Sequence, residues 1–174
     1  MIEVTVQSLG LDRSSNTPVV ILQEKDGSRV LPIWIGPGEA SAIAMELAGM
    51  KFTRPLTHDL AASLIRSLGA SLQRVVITRV HENTYYAELV INRGTEVFSI
   101  DARPSDSIAI ALRMKAKLFT SDDLLTSTTI QVEPAEEVEA PEPEQEGERP
   151  QMTAEQLQEH LKKMKPEDLG RFNP

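Results

Sequence analysis

Cysteine is absent from the chain. That excludes disulfide scaffolds, thiolate-held zinc, iron–sulfur clusters and thiol nucleophiles. Aromatic residues are scarce as well, with one Trp, two Tyr and four Phe in 174 residues. A groove paved with stacking rings, a common device for holding single strands, has no evident footprint here. Trp34, Phe52, Phe98 and Phe119 stand in apolar contexts and are expected in the core. Tyr85 and Tyr86 are neighbours on a strand pattern, so at most one of them can face a ligand. A run of about 18 apolar residues is also missing, so no helical membrane span is expected. The first residues, MIEVTVQSLGL, lack the basic and apolar regions of a secretory leader, which points to a cytoplasmic protein.

A basic excess, the usual mark of nucleic-acid binding, is lacking too: the net charge is −8. The charge is unevenly placed. Residues 1–130 carry a net of −1, residues 131–150 a net of −7, and residues 151–174 a net of zero. The acidity belongs to one short segment. Residues 132–150 hold eight Glu, four Pro and one Gly. Such a stretch buries too little apolar area to offset its ordering entropy, so it reads as a disordered linker. The expected organisation is a folded domain over 1–131, the linker over 132–150, and a short amphipathic helix with its tail over 151–174. In that last segment Thr153 and Gln156 form a capping-box pattern, and Leu157, Leu161 and Met164 share one face. A helix so short is marginal alone and is expected to dock on this chain, a second copy or another protein.

The domain alternates strand and helix signals. Ile2, Val4 and Val6 alternate with polar residues, and two apolar runs flank Asp26-Gly27, a strong hairpin signal. Pro37 to Ala48 is Ala-rich, apolar on most sides and closed by Gly49, which predicts a buried helix. Thr57 is expected to cap a second helix with Leu60, Leu64 and Leu68 as a core stripe, beside Ala61 and Ile65. Strands are predicted over 71–81, 84–92 and 96–102, then a third helix capped by Ser105, and a short last one opened by Ser121. This order is not the strict alternation of a parallel sheet. It predicts an α+β fold: a largely antiparallel or mixed β-sheet with about three helices packed on it.

The residues able to do chemistry sit at the predicted helix starts. Gly36-Pro37-Gly38-Glu39 opens the first helix, in neither of the two common phosphate-loop spacings. Arg54-Pro55-Leu56-Thr57-His58-Asp59 opens the second, and Asp101-Ala102-Arg103-Pro104-Ser105-Asp106 the third. The last two share a pattern: Arg-Pro, a hydroxyl residue, then an Asp in the first turn. A neutral imidazole beside a carboxylate suits a general base, so His58 is a candidate. Two readings stand side by side. Arg–Asp pairs could simply lock the helix starts, or Glu39, Asp59, Asp101 and Asp106 could surround a divalent cation while arginines contact phosphate.

At these places the chain resembles a known family. LPIWIG followed by GEASAIAMELAG, then RPLTHDL with SLGASLQRVVIT, YYAELVI and IDARPSDSIAIALR, are similar in content and order to the bifunctional nuclease family. The resemblance implies an α+β fold, oligomers as several members form, and hydrolysis of RNA and/or DNA, since the family takes its name from plant members described as degrading both. The family's polar positions fall on Glu39, Arg54, His58, Asp59, Asp101, Arg103, Asp106 and Arg113. For a nuclease, the expected roles are His58, Asp106 and Asp59 in catalysis, and Arg54, Arg103 and Arg113 on the substrate. Glu39, Asp59, Asp101 and Asp106 would hold Mg²⁺ or Mn²⁺. The rival reading is a non-enzymatic ligand-binding or protein-interaction scaffold.

Overall fold

The computed structural model describes residues 1–12, 15–126 and 133–134. Apart from Glu133 and Pro134, the expected acidic linker and tail helix lie outside the described residues.

Three strands open the chain: β1 (Ile2–Asp12), β2 (Thr17–Glu24) and β3 (Val30–Trp34). They form an antiparallel meander, with the Asp26-Gly27 turn between the last two. Two helices follow, α1 (Pro37–Leu47) and α2 (Thr57–Ser67). Next come β4 (Ser71–His81), β5 (Thr84–Arg93) and β6 (Glu96–Ala102), a second antiparallel meander. Glu82 and Asn83 turn β4 into β5, both with positive φ, 49° and 58°. That is the left-handed geometry a tight two-residue hairpin requires. α3 (Pro104–Met114), β7 (Lys117–Thr120), a 3-10 turn (Asp122–Leu124) and β8 (Glu133–Pro134) complete the described chain.

One mixed sheet joins both meanders in the order β3-β2-β1-β7-β4-β5-β6, with β8 pairing β1 beside Gly10 and Leu11. β7 is the seam. It runs antiparallel to β1 and parallel to β4, so four residues tie the two halves together. The α+β arrangement expected from the sequence is what the chain forms. β7 itself escaped the sequence reading: KLFT is too short for a periodic signal, although Leu118 and Thr120 are buried.

Helix α3 is the buried one. Ser107, Ile108, Ala109 and Ala111 are fully covered, and the helix packs between α1 and α2 on one face of the sheet. The sequence assigned that place to α1, which buries only Ala40, Ala42 and Ile43. In α2 the expected leucine stripe points outward: Leu60, Leu64 and Leu68 are 49%, 54% and 68% exposed. Ala61 and Ile65 do pack against the core as expected, joined by the fully buried Ala62 in place of the leucines. Small side chains let α2 approach α3 closely, and the leucines four residues apart fall to the side of that contact. Periodicity identified an apolar stripe but not which one meets the core. Three of the four aromatics expected in the core are also half exposed: Trp34, Phe52 and Phe98 at 46%, 45% and 39%. Trp34 alternates with buried Ile33 and Ile35, and its indole N–H donates to Asp12 (2.9 Å).

Candidate active site

Each helix start is shaped by the residue that enters it. Arg103 precedes Pro104 and is held extended (φ −69°, ψ 144°), making it the N-cap of α3 with Pro104 as first helical residue. Ser105 therefore lies inside the helix and does not cap it. Leu56 is likewise the N-cap of α2, ahead of Thr57, and Asp59 Oδ2 accepts its backbone N–H at 2.9 Å. Gly36 caps α1, where a Cβ would collide with the Glu39 carboxylate. Glycine thus leaves room for Glu39 to lie back over the helix start.

From these positions four side chains form one line. Arg103 Nη1 is 3.0 Å from Glu39 Oε1, and its Nε donates to Asp106 Oδ2 at 2.8 Å. Asp106 Oδ1 in turn meets His58 Nε2 at 3.0 Å. The starts of α1, α3 and α2 are joined in that order. Burial pushes the Asp106 carboxyl up, but the hydrogen bonds from Arg103 and His58 outweigh it and hold the group below the usual range. The same carboxylate raises the pKa of Arg103 further above its ordinary value. Arg103 nevertheless keeps 66% of its side chain exposed, while His58 keeps 15%.

A second tie lies deeper. Arg113, only 6% exposed, donates Nε to Asp59 Oδ1 at 2.5 Å. Its terminal nitrogens donate to the carbonyls of Ala42 (3.3 Å) and Ala109 (3.0 Å). One guanidinium thereby joins all three helices and holds the Asp59 carboxyl below its usual value. These contacts face the protein interior. The two remaining candidates stand apart: Arg54 is exposed in the loop before α2, and Asp101 is exposed on β6 opposite Glu88.

The donors for Mg²⁺ or Mn²⁺ do not fit a shared cage in this arrangement. Glu39 and Asp106 are both taken up by Arg103, Asp59 by Arg113, and Asp101 points elsewhere. Among the described residues no three His, Asp or Glu side chains gather as a metal site. A hard cation needs several oxygens converging on one point.

A cleft of about 240 Å³ adjoins the Glu39–Arg103 end of the line, lined among others by Gly36, Thr84, Tyr85 and Ser105, while His58 and Asp106 stand outside its lining. The sequence allowed one of Tyr85 and Tyr86 to face a ligand and read Ser105 only as a helix cap; Tyr85 is the one that lines the cleft. Tyr85 comes from the start of β5, and burial raises its phenol pKa. Ser105 is 7% exposed, and its position between Arg103 and Asp106 was the available signal.

The bifunctional nuclease domain model matches residues 20–133. The chain belongs to that family. Every member of the line of four and of the Arg113 tie falls within the matched span of this bifunctional nuclease domain. An uncharacterized protein of Mycobacterium tuberculosis is 40% identical over 167 residues, covering 96% of this chain and 97% of its own length. Bifunctional nuclease 1 of Arabidopsis thaliana is 27% identical over 135 residues, and bifunctional nuclease 2 of Oryza sativa subsp. japonica 29% over 134. The matches span 75% and 74% of this chain but 41% of each plant protein. No described helix is long and apolar enough to cross a membrane.

Proposed function

We propose that this bifunctional nuclease domain hydrolyses phosphodiester bonds of RNA or DNA at the His58–Asp106–Arg103–Glu39 line. The reading rests on that line of contacts, whose Glu39–Arg103 end borders a cleft, in a domain whose plant relatives are named bifunctional nucleases. In the tautomer that donates from Nε2, His58 is oriented by Asp106 and keeps a lone pair on Nδ1. A neutral imidazole so held takes a proton from water as the water oxygen attacks phosphorus; the P–O bond to the leaving nucleoside breaks, and its oxygen takes up a proton from the imidazolium or from solvent. Arg103, exposed and fixed from two sides, presents its remaining N–H groups to the phosphate and stabilises charge that develops in the transition state. Glu39 and Asp106 keep that guanidinium in one orientation. Arg54 supplies a second cation near the start of α2.

Part of the polar set suits a structural role better. Arg113 is nearly covered and turns its contacts inward, so with Asp59 it positions α2, and through it His58. No step here runs through a metal. The test is cleavage of single-stranded RNA and DNA by the purified chain, with Mg²⁺, with Mn²⁺ and with EDTA. Product formation that is lost in Arg103→Ala supports the reading. Inactivity of clean protein under all three conditions overturns it in favour of a non-enzymatic scaffold.

A further inference from the structure

The two edges of the sheet are treated differently. At β3, Val30 exchanges both backbone hydrogen bonds with Thr126 at 2.8 Å, and Pro32 has no N–H to offer. That edge is blunted. At β6 no strand covers the outer side among the described residues. The strand contains no proline, lysine or arginine, and its pairing with β5 runs from Arg93/Glu96 to Ala87/Ala102 without a register shift. Proline, basic residues and bulges are among the devices by which exposed edges normally avoid pairing, and the strand's two charges, Glu96 and Asp101, stand near its ends. Each face exposes apolar side chains at its centre or end: Val97 on one, beside Ser99 and Asp101, and Phe98 and Ile100 on the other, 66%, 39% and 46% exposed. Phe98 lies opposite Ile91 and Ile100 opposite Leu89, and both partners belong to the core. Phe98 and Ile100 therefore continue the core face past the point where the helices cover it.

We infer that β6 pairs antiparallel with β6 of a second copy, about a two-fold axis at Ser99, to make one continuous sheet. Self-pairing follows from the strand's own sequence. Ser99 is the midpoint of Glu96–Ala102, so this register pairs all seven residues. It sets Phe98 against Ile100 of the second copy twice over, and it faces Glu96 with Ala102 and Asp101 with Val97, so no like charges meet. Keeping the helix faces on one side allows shifts only in steps that preserve side-chain alternation. The neighbouring register centred on Phe98 would put Ile100 against Glu96, and the one centred on Ile100 would run Glu96 into Pro104. A peptide strand from another protein would satisfy the backbone but not this symmetry. Because Ala102 meets Glu96 of the second copy, the turn joining β5 to β6 in that copy lies beside Arg103, at the rim of the candidate site. The inference does not depend on the chain being a nuclease.

The absence of cysteine makes the register directly measurable. Facing residues in an antiparallel pair have Cα atoms about 4.5–5.5 Å apart, within disulfide range. Ser99→Cys is expected to give a disulfide-linked dimer on mild oxidation. Val97→Cys alone is expected to give none, since two such residues lie roughly 13 Å apart along the strands. A mixture of Val97→Cys and Asp101→Cys chains is expected to crosslink. Light scattering of the full chain is expected to give about twice its 19.2 kDa mass, and Ile100→Lys about that mass, with an unchanged circular dichroism spectrum. Wild type that stays at one chain mass at every concentration, a dimer that survives Ile100→Lys, or crosslinking of Val97→Cys in preference to Ser99→Cys each overturns the inference.

Discussion

Arg103 holds Asp106 and Glu39 at once, 2.8 Å from one and 3.0 Å from the other, and so fastens the start of α3 to the start of α1. Most of its side chain is nonetheless in water. Exposed ion pairs contribute about 0–1 kcal/mol, so the contacts matter more for orientation than for stability. Arg103→Lys keeps the charge but loses the planar fork that reaches two carboxylates. The melting temperature is expected to move little, while cleavage falls by about ten- to a hundredfold. A large drop in melting temperature would make Arg103 chiefly structural.

Arg113 behaves in the opposite way. Its guanidinium is nearly covered, and removing it takes the charged donor from Asp59 Oδ1 and a second donor from two helix carbonyls. Breaking a buried pair on one side costs about 3–5 kcal/mol, and the partial exposure of Asp59 places this case toward the lower end. Urea unfolding of Arg113→Ala is expected to show that loss. A change below about 1 kcal/mol would contradict the clasp.

Two of the carboxylates that contribute to the acid limit of stability, beside Glu3 and Glu24, belong to the helix starts. Asp59, hydrogen-bonded by Arg113, and Asp106, where Arg103 and His58 overcome the burial that raises it, both titrate below the ordinary value of 3.8. Groups depressed in the folded state stabilise it above their unfolded pKa, and that contribution is lost as pH falls through the folded value. Thermal stability is expected to drop as pH falls below about 4. Asp59→Asn is expected to flatten part of that slope, and an unchanged slope would mean the tie to Arg113 is not formed.

The leucine stripe on α2 gives a contrast between look-alike residues. Leu64 is 54% exposed and Ile43 is fully buried. Leu64→Gln is expected to alter stability by less than about 1 kcal/mol, and Ile43→Ala to cost about 2–5 kcal/mol. Equal losses would place Leu64 in an interface formed in solution.

The helix starts were legible in the sequence because their signals are local. Arg-Pro, a first-turn Asp and glycine before a helix act over four or five residues, and the structure joins Glu39, His58, Arg103 and Asp106 from three such starts. The six long strands were legible for the same reason. What failed was long-range. Whether Leu60 or Ala62 faces the core depends on how closely α2 can approach α3. β7 owes its existence to β1 and β4 on either side rather than to four residues of its own. The sequence also grouped all four acids as one metal set. In the fold Asp59 and Asp106 answer to different arginines, because Arg113 and Arg103 leave opposite ends of α3.

The central claim, that the His58–Asp106 contact drives hydrolysis, is tested most directly by single-turnover cleavage of a single-stranded oligonucleotide. Wild type, His58→Ala and Asp106→Asn would be compared, with melting curves run on the same samples. Both variants are expected to fold and to cleave at least about a hundredfold more slowly, the scale on which a general base acts. A folded His58→Ala chain that cleaves at the wild-type rate would contradict the account.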